Sequence, residues 1–286
     1  MNIPELIGRS GWALLGYPGL LTVLLLASLL AATLRQPRAV VQGMGTLLRG
    51  AWWQDERLWL GLSMLAAAAG LALLPMPLNP IRPTVVAWWW AWLAFEVAFL
   101  LPLLPALLTT HPPLARAALR EVQVGVSGRA ILWLALSVSL MLSDVWLVQD
   151  AQGHSPLLGH GLAILAAGVA FPAAVGWGAF APPTTLTANA SRHGLPVPLA
   201  QAAAAAHLVR VSALLLASLV CLLPMSQVAL PMGTGMLLVS FALGCGWLAW
   251  QQAQAIQLPL TLALQRCWWR AFPIALVAVI YLSVLR

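Results

Sequence analysis

Long apolar runs follow one another along almost the whole 286-residue chain. A helix needs roughly 20 consecutive apolar residues to cross the hydrocarbon core of a bilayer, which is about 30 Å thick. Backbone polar groups in lipid must be satisfied within the spanning segment, so such runs form helices. The runs predict spans at about 12–33, 58–76, 84–109, 130–149, 157–181, 207–227, 230–251 and 270–285. The sequence therefore predicts an all-α, polytopic integral membrane bundle of about eight transmembrane helices, with residues 1–286 as a single domain.

Charged residues make up 7% of the chain, against roughly 25% in a soluble domain. All fourteen basic residues are arginines, and only seven residues are acidic. The arginines are scattered singly, which argues against a nucleic-acid surface and is typical of the loops of a membrane protein. A chain with so few acids resembles a scaffold or lining more than a pump, because ion movement in a membrane uses ionisable groups.

The arginines predict the orientation of the bundle. Eleven of the fourteen fall in the loops after the first, third, fifth and seventh spans: Arg35, Arg38, Arg49, Arg57, Arg116, Arg120, Arg129, Arg192, Arg210, Arg266 and Arg270. Only Arg9, Arg82 and Arg286 lie on the other side. By the positive-inside rule the chain is a multi-pass protein of the inner (cytoplasmic) membrane, with both termini outside. The long, polar cytoplasmic loops favour docking of a cytoplasmic partner; the alternative is that positive-inside loops are simply longer here.

Two acids fall inside apolar runs, Glu96 and Asp144. An ionised, unpaired carboxylate at Glu96 would cost a few kcal/mol, so this group is protonated, paired or facing water. It is either a proton-relay or cavity-lining acid, or a packing residue bonded to a neighbouring helix. Asp144 is expected at a solvated helix end.

The pair Arg120-Glu121 lies in the polar segment 114–129. Arg116 and Arg120 are four residues apart, so a helix would carry both on one face. This segment is either an amphipathic helix lining a cavity at the cytoplasmic edge or an interfacial helix with snorkelling arginines.

Motifs for catalysis and metal binding are missing from the sequence. The five histidines are dispersed, with no facing pair for haem, and the three cysteines lack metal-ligand spacing. We find no phosphate loop, zinc-binding HExxH or nucleophile elbow. The tryptophans, including Trp88-Trp89-Trp90, fit an interfacial aromatic belt better than a quinone-stacking site. The sequence therefore predicts neither a catalytic residue nor a metal site.

Three short motifs occur in the same order as in a known family of membrane subunits. Val40-Val41-Gln42 precedes Leu47-Leu48-Arg49, Arg120-Glu121 opens the run into the fourth span, and Trp269-Arg270-Ala-Phe-Pro273 precedes the last. With them the chain resembles the membrane subunit that anchors the peripheral arm of complex I and of energy-converting hydrogenases (the NuoH, HycD and HyfC family). That family has eight core helices, external termini and long cytoplasmic loops, as predicted above.

The resemblance implies a non-catalytic subunit of a membrane oxidoreductase or ion-translocating complex. It would dock a cytoplasmic module to antiporter-like membrane subunits and bind no cofactor directly. The residues that it singles out are Glu96, Arg120 and Glu121 for a proton path or cavity, and Gln42, Arg49, Trp269 and Arg270 for docking or cavity shape.

The chain departs from this family in its loop acids. The segment 181–190 keeps a proline but carries no acid, Arg129 stands where relatives have a glutamate, and 256–260 lacks their basic residues. In relatives these acids are thought to line the quinone cavity and its proton path, so quinone binding and proton coupling stay open for this chain. The alternative functions are a stand-alone transporter or permease and a quinol-linked membrane anchor of another oxidoreductase.

Overall fold

The computed structural model describes residues 3–49, 56–79, 85–142, 156–182, 195–223, 230–254 and 256–284. Within these ranges every regular element is helical, which confirms the all-α prediction. The α-helices are α1 (Ile3–Leu15), α2 (Leu20–Thr33), α3 (Ala39–Leu48), α4 (Arg57–Ala72), α5 (Val85–Leu100), α6 (Leu104–Leu107), α7 (Pro112–Leu142), α8 (Pro156–Val175), α9 (Val197–Leu222), α10 (Leu230–Gln254), α11 (Leu260–Arg266) and α12 (Phe272–Val284). Two 3₁₀ turns (Leu101–Leu103 and Gly178–Phe180) and a π turn (Cys267–Ala271) join neighbouring elements.

The described residues contain seven helical stretches that are long and apolar enough to cross a membrane. They are Gly8–Thr33, Val86–Leu107, Pro112–Leu142, Leu158–Phe180, Val197–Leu222, Pro231–Gln254 and Leu260–Val284. The chain is therefore a multi-pass membrane protein. The predicted span 58–76 forms α4, which has 16 residues. It rises only ~24 Å, less than the ~30 Å hydrocarbon core. Seven of the eight predicted spans thus correspond to full-length stretches and the eighth to a short helix.

Three helices begin earlier than predicted. The spans expected from 130, 207 and 270 begin at Pro112, Val197 and Leu260. The segment 114–129 is therefore not a loop but the first half of α7, a continuous helix of 31 residues. Sequence hydropathy scores each arginine as if it faced solvent, whereas in the bundle some of these arginines find partners on neighbouring helices. Asp144 lies outside the described residues.

Helix interruptions occur at the prolines of the third span and in the first span. At Pro102 and Pro105, α5 passes into the 3₁₀ turn before α6. The break between α1 and α2 at 16–19 was not predicted. There the Tyr17 hydroxyl donates to the Pro77 carbonyl at 2.6 Å, which ties this break to the segment after α4.

Helix α9 is the centre of the bundle. It packs against α2, α3, α4, α7, α8 and α10, and 83% of its spanning window is buried. Its small residues let neighbours approach closely: a Cβ added at Gly43 of α3 would lie 2.3 Å from the Cβ of Ala205. We call the end of the bundle where α7, α9 and α11 begin the basic end, because Arg38 and Arg116 lie there.

Candidate functional site

A buried ion pair joins α5 to α7. Arg129 Nε lies 2.9 Å from Glu96 Oε2, and the two side chains are 3% and 19% exposed. The Arg129 Nη1 also donates to the Ala174 carbonyl of α8 at 3.1 Å. The guanidinium carbon lies 4.8 Å from the centre of the Phe99 ring, as a cation–π contact requires. Arg129 stands ~26 Å along α7 from Pro112, so this pair lies deep within a spanning helix. Of the three states predicted for Glu96, the structure has the paired one.

A second arginine, Arg210 of α9, approaches the same phenylalanine. Its guanidinium carbon lies 5.6 Å from the centre of the Phe99 ring, and its Nη1 donates to Ser63 Oγ of α4 at 3.0 Å. The side chain is 3% exposed. Two cations therefore contact one aromatic ring in the interior, where a desolvated cation–π contact stabilises by about 2 kcal/mol or more. Phe99 thereby links the environments of the two arginines.

A small polar cavity lies between these arginines and two further ionisable residues, Glu121 and His207. Its volume is about 20 Å³, enough for one water molecule. Arg129 interacts electrostatically with Glu96 and with Glu121. The His207 ring stacks on Trp177, with centroids 5.9 Å apart. The cavity therefore brings together two cations, a carboxylate and an imidazole from α7 and α9.

Glu121 also lines a second cavity, towards the basic end. This cavity is bounded by Arg120, Glu121 and Phe180, among others. The Arg120 Nη2 donates to the Leu258 carbonyl, and the Leu258 amide donates to the Ala179 carbonyl at 2.9 Å. These bonds fasten α7 to the segments after α8 and before α11. Glu121 thus stands where the two cavities meet.

The ionisable groups form a row that we call the charged row: Arg120, Glu121, Arg129, Glu96, Arg210 and His207. It extends ~14 Å along α7 between Arg120 and Arg129. Arginine stays charged in proteins, so Arg129 and Arg210 are fixed cations, whereas carboxylates can take up and release protons. Chemically, the row can hold water and exchange protons at Glu96 and Glu121. Among the described residues, no group of three His, Cys, Asp or Glu could hold a metal ion.

The predicted site residues separate into two groups. Glu96, Arg120 and Glu121 all belong to the charged row, as the prediction of a polar path requires. Trp269 and Arg270 do not lie in a loop before the last span; they lie on the π turn inside Leu260–Val284. Both are exposed, Trp269 by 76%. The prediction of their position was wrong because the helix already begins after Pro259, its N-cap.

Gln42 lies on a surface helix at the basic end, α3, and Arg49 is the C-cap of that helix. Helix α3 buries Val40, Gly43 and Leu47 and packs against α9. Gln42 and Arg49 are exposed. A shallow groove of about 350 Å³ lies beside Gln42 at the start of α3, lined by Gln36, Pro37, Arg38, Ala39 and Gln42. The exposed edge of α3 therefore offers polar groups and a concavity on one surface.

Sequence reasoning missed Arg129, Arg210 and His207 as interior residues, because it assigned them to loops or helix ends. A usable signal existed in the helical spacing. Glu121, Gly125 and Arg129 recur at four-residue steps and so share one helix face. Glycine at the middle position lets the Arg129 side chain lie along the helix: its Nη1 is 2.8 Å from where a Cβ of Gly125 would stand.

Comparison with known proteins gave no relative: no protein-family model matches the chain, and no curated protein matches it. The fold and the site together define the class. The chain is a multi-pass, α-helical membrane protein with a buried network of arginines and carboxylates.

Proposed function

We propose that this chain is the membrane-anchoring subunit of a complex-I-like or energy-converting-hydrogenase-like assembly. It docks a cytoplasmic module against antiporter-like membrane subunits, is not itself catalytic and binds no cofactor directly. The observation that carries the proposal is the charged row. Buried charges are costly within a membrane and generally mark an ion or proton path. A scaffold with no coupling role would lose little stability with apolar residues at Glu96 and Arg129, because apolar replacement of a buried ion pair is often neutral or stabilising.

The proposed orientation has the basic end in the cytoplasm and both termini outside, in the inner membrane. Arg129 and Arg210 leave the positive-inside count because they are buried within α7 and α9. Among the described residues, the arginines that remain near the basic end still outnumber Arg9, which is predicted to be outside: Arg35, Arg38, Arg49, Arg57, Arg116 and Arg120. The positive-inside rule therefore still predicts that the basic end is cytoplasmic when Arg129 and Arg210 are left out of the count.

In the proposed path, protons enter at the basic end and reach Glu121, which lines both cavities. Water in the inner cavity carries them on towards Glu96, whose Oε2 lies 2.9 Å from Arg129 Nε. Arg120 and its bond to Leu258 hold the entrance in shape. The path has no quinone requirement, and quinone binding stays outside the proposal.

Glu96→Gln is expected to lower proton translocation by the assembled complex about tenfold or more, a barrier increase of about 1.4 kcal/mol or more. Glutamine can still accept a hydrogen bond from Arg129 but cannot exchange a proton. Proton uptake by inverted membrane vesicles, driven by the native electron donor, measures the effect. Val97→Ala, at an exposed neighbour on α5, is the control. Unchanged pumping in Glu96→Gln would make Glu96 a packing residue.

Docking is tested on α3. The double variant Arg38→Ala/Arg49→Ala is expected to lose most of the cytoplasmic module during purification while keeping the membrane subunits, because it removes both cations from the exposed edge. The measured quantity is the ratio of co-purified subunits from native membranes. Arg9→Ala, on the first span, serves as the control and should keep the full set. A ratio equal to that of the wild type would remove α3 from the docking surface.

The second candidate function is a stand-alone transporter, favoured by the helix interruptions at 16–19, Leu101–Leu103 and Cys267–Ala271. Discontinuous helices are common at transporter binding sites. Against it, the cavity on the charged row has room for about one water molecule. Purification from native membranes separates the two candidates. A lone, stable chain that transports a solute would contradict the assembly.

A further inference from the structure

A large apolar groove lies on the side of α7 away from the charged row. Its volume is about 470 Å³, within the range of about 300–1,000 Å³ that ligand pockets have. The floor is α7 from Ala130 to Met141; one wall is Trp88 and Trp92 of α5, and the other is Trp268 and Phe272 of the last span. Met141 and Trp268 are exposed, so in a membrane protein the groove opens towards lipid. It is independent of the function proposed above.

The two tryptophans of the α5 wall pack against a buried tryptophan of α7. Trp133 of α7 is fully buried, and Trp92 stacks on it with centroids 5.8 Å apart. Trp88 meets the same indole edge-on at 5.1 Å. These contacts restrict the rotamers of both wall residues, because aromatic pairs at such distances have a preferred geometry. The groove is therefore a preformed feature.

The dimensions of the groove select a thin occupant. From Ala130 to Met141 the helix rises ~17 Å, close to the ~15 Å that one leaflet contributes to a 30 Å core. An α-helix with side chains is about 10–12 Å across, so this volume would hold only about one turn of it. A single hydrocarbon chain is much thinner and fits the full length. A partner's transmembrane helix is thus too thick for the groove.

The lining selects an apolar occupant. Among the described residues of the lining, the hydrogen-bonding side chains are the tryptophan indoles, which can only donate, and Ser137, whose Oγ already donates to the Trp133 carbonyl at 2.8 Å. A quinone ring would bring two carbonyl oxygens that need donors when buried, whereas an acyl chain needs none. We propose that the groove binds one acyl chain of a bilayer phospholipid. The headgroup would lie at the end marked by Trp88 and Met141, near the ends of their helices, and the chain would fill the gap between α5 and the last span.

The experiment measures bound lipid on the full chain. Wild-type protein, extracted from its native membrane and washed extensively in detergent, is expected to retain about one phospholipid per chain by native mass spectrometry. Ser137→Phe fills the middle of the floor and should reduce this occupancy at least tenfold. Val239→Phe, on the exposed face of α10, is the matched control and should keep the lipid. Gel filtration of each variant checks that it is folded.

Three results would overturn the proposal: a washed wild type that holds no phospholipid, a quinone retained in its place, or equal lipid in Ser137→Phe and Val239→Phe. If Ser137→Phe does not elute as a folded protein, Ala130→Phe blocks the deep end of the same groove and is read in the same way. The wild-type measurement stands by itself even if neither variant folds.

Discussion

Glu96→Leu is expected to lower the midpoint of thermal unfolding by about 6–20 °C. Breaking a buried ion pair costs about 3–5 kcal/mol, and each kcal/mol shifts the midpoint by about 2–4 °C in a chain of this size. Arg129 would keep its charge, because a guanidinium does not deprotonate in proteins. It would then remain 3% exposed beside an apolar side chain. This is the largest single effect that we expect in the charged row.

A variant of Arg129 and a double variant of Glu96 and Arg129 separate the effect of charge from the effect of packing. Arg129→Met should lower the midpoint less, because the isolated Glu96 carboxyl can become neutral by taking up a proton. Glu96→Leu/Arg129→Met should recover much of the loss, since apolar replacements of a buried pair are often neutral or stabilising. Thermal scans in detergent, followed by gel filtration of the remaining monodisperse protein, measure all three at one scan rate.

Leu93→Ala, at an exposed position of the same helix, is the control and should stay near the wild type. A Glu96→Leu midpoint no lower than that of Leu93→Ala would mean that the ion pair contributes nothing to the fold. A double variant as unstable as Glu96→Leu would mean that packing, rather than charge, is lost.

Gly128→Ala is expected to lower the same midpoint by about 2–12 °C, since overpacking costs about 1–3 kcal/mol at about 2–4 °C each. A Cβ at Gly128 would lie 2.4 Å from the Ala174 amide nitrogen and 2.6 Å from the Ala173 carbonyl carbon. Backbone atoms cannot rotate away, so α7 and α8 must separate. That movement also strains the bond from Arg129 to the Ala174 carbonyl.

Gly168→Ala provides a matched control on α8, because a Cβ there meets nothing within 4 Å. Alanine is the better helix former, so this variant should equal or slightly exceed the stability of the wild type. Equal midpoints for Gly128→Ala and Gly168→Ala would show that the α7–α8 contact yields without cost. A lower midpoint for Gly128→Ala alone would establish this contact as a close-packed one.

Hydropathy predicted the helices far better than it predicted their ends. The apolar stretches of α5, α8 and α10 are recognisable from the sequence because lipid forces each segment to satisfy its own backbone. The first half of α7 and the start of α9 were missed. Residues such as Arg129 and Arg210 lower the average hydropathy, although each is buried with partners from other helices.

The predictions of site residues also depended on how well the helix ends were predicted. The family resemblance singled out Gln42 and Arg49 for docking or cavity shape, and both side chains are exposed at the basic end. Trp269 and Arg270 were assigned to a loop because local composition did not reveal that the helix starts at Leu260. Their π turn depends on how α11 and α12 meet, which no local pattern specifies.

By itself the sequence determined that this is a helical membrane protein and that Glu96 is protonated, facing water or paired with a partner, since an ionised, unpaired carboxylate in hydrocarbon is too costly. Only the tertiary structure decided that Arg129 is that partner, 33 positions away in the chain. The same holds for the shared position of Glu121 between two cavities and for the groove beside Trp88. Burial within a span depends on the energy of each residue in lipid, whereas pairing depends on which helix faces come together, and that is settled by packing across the whole bundle.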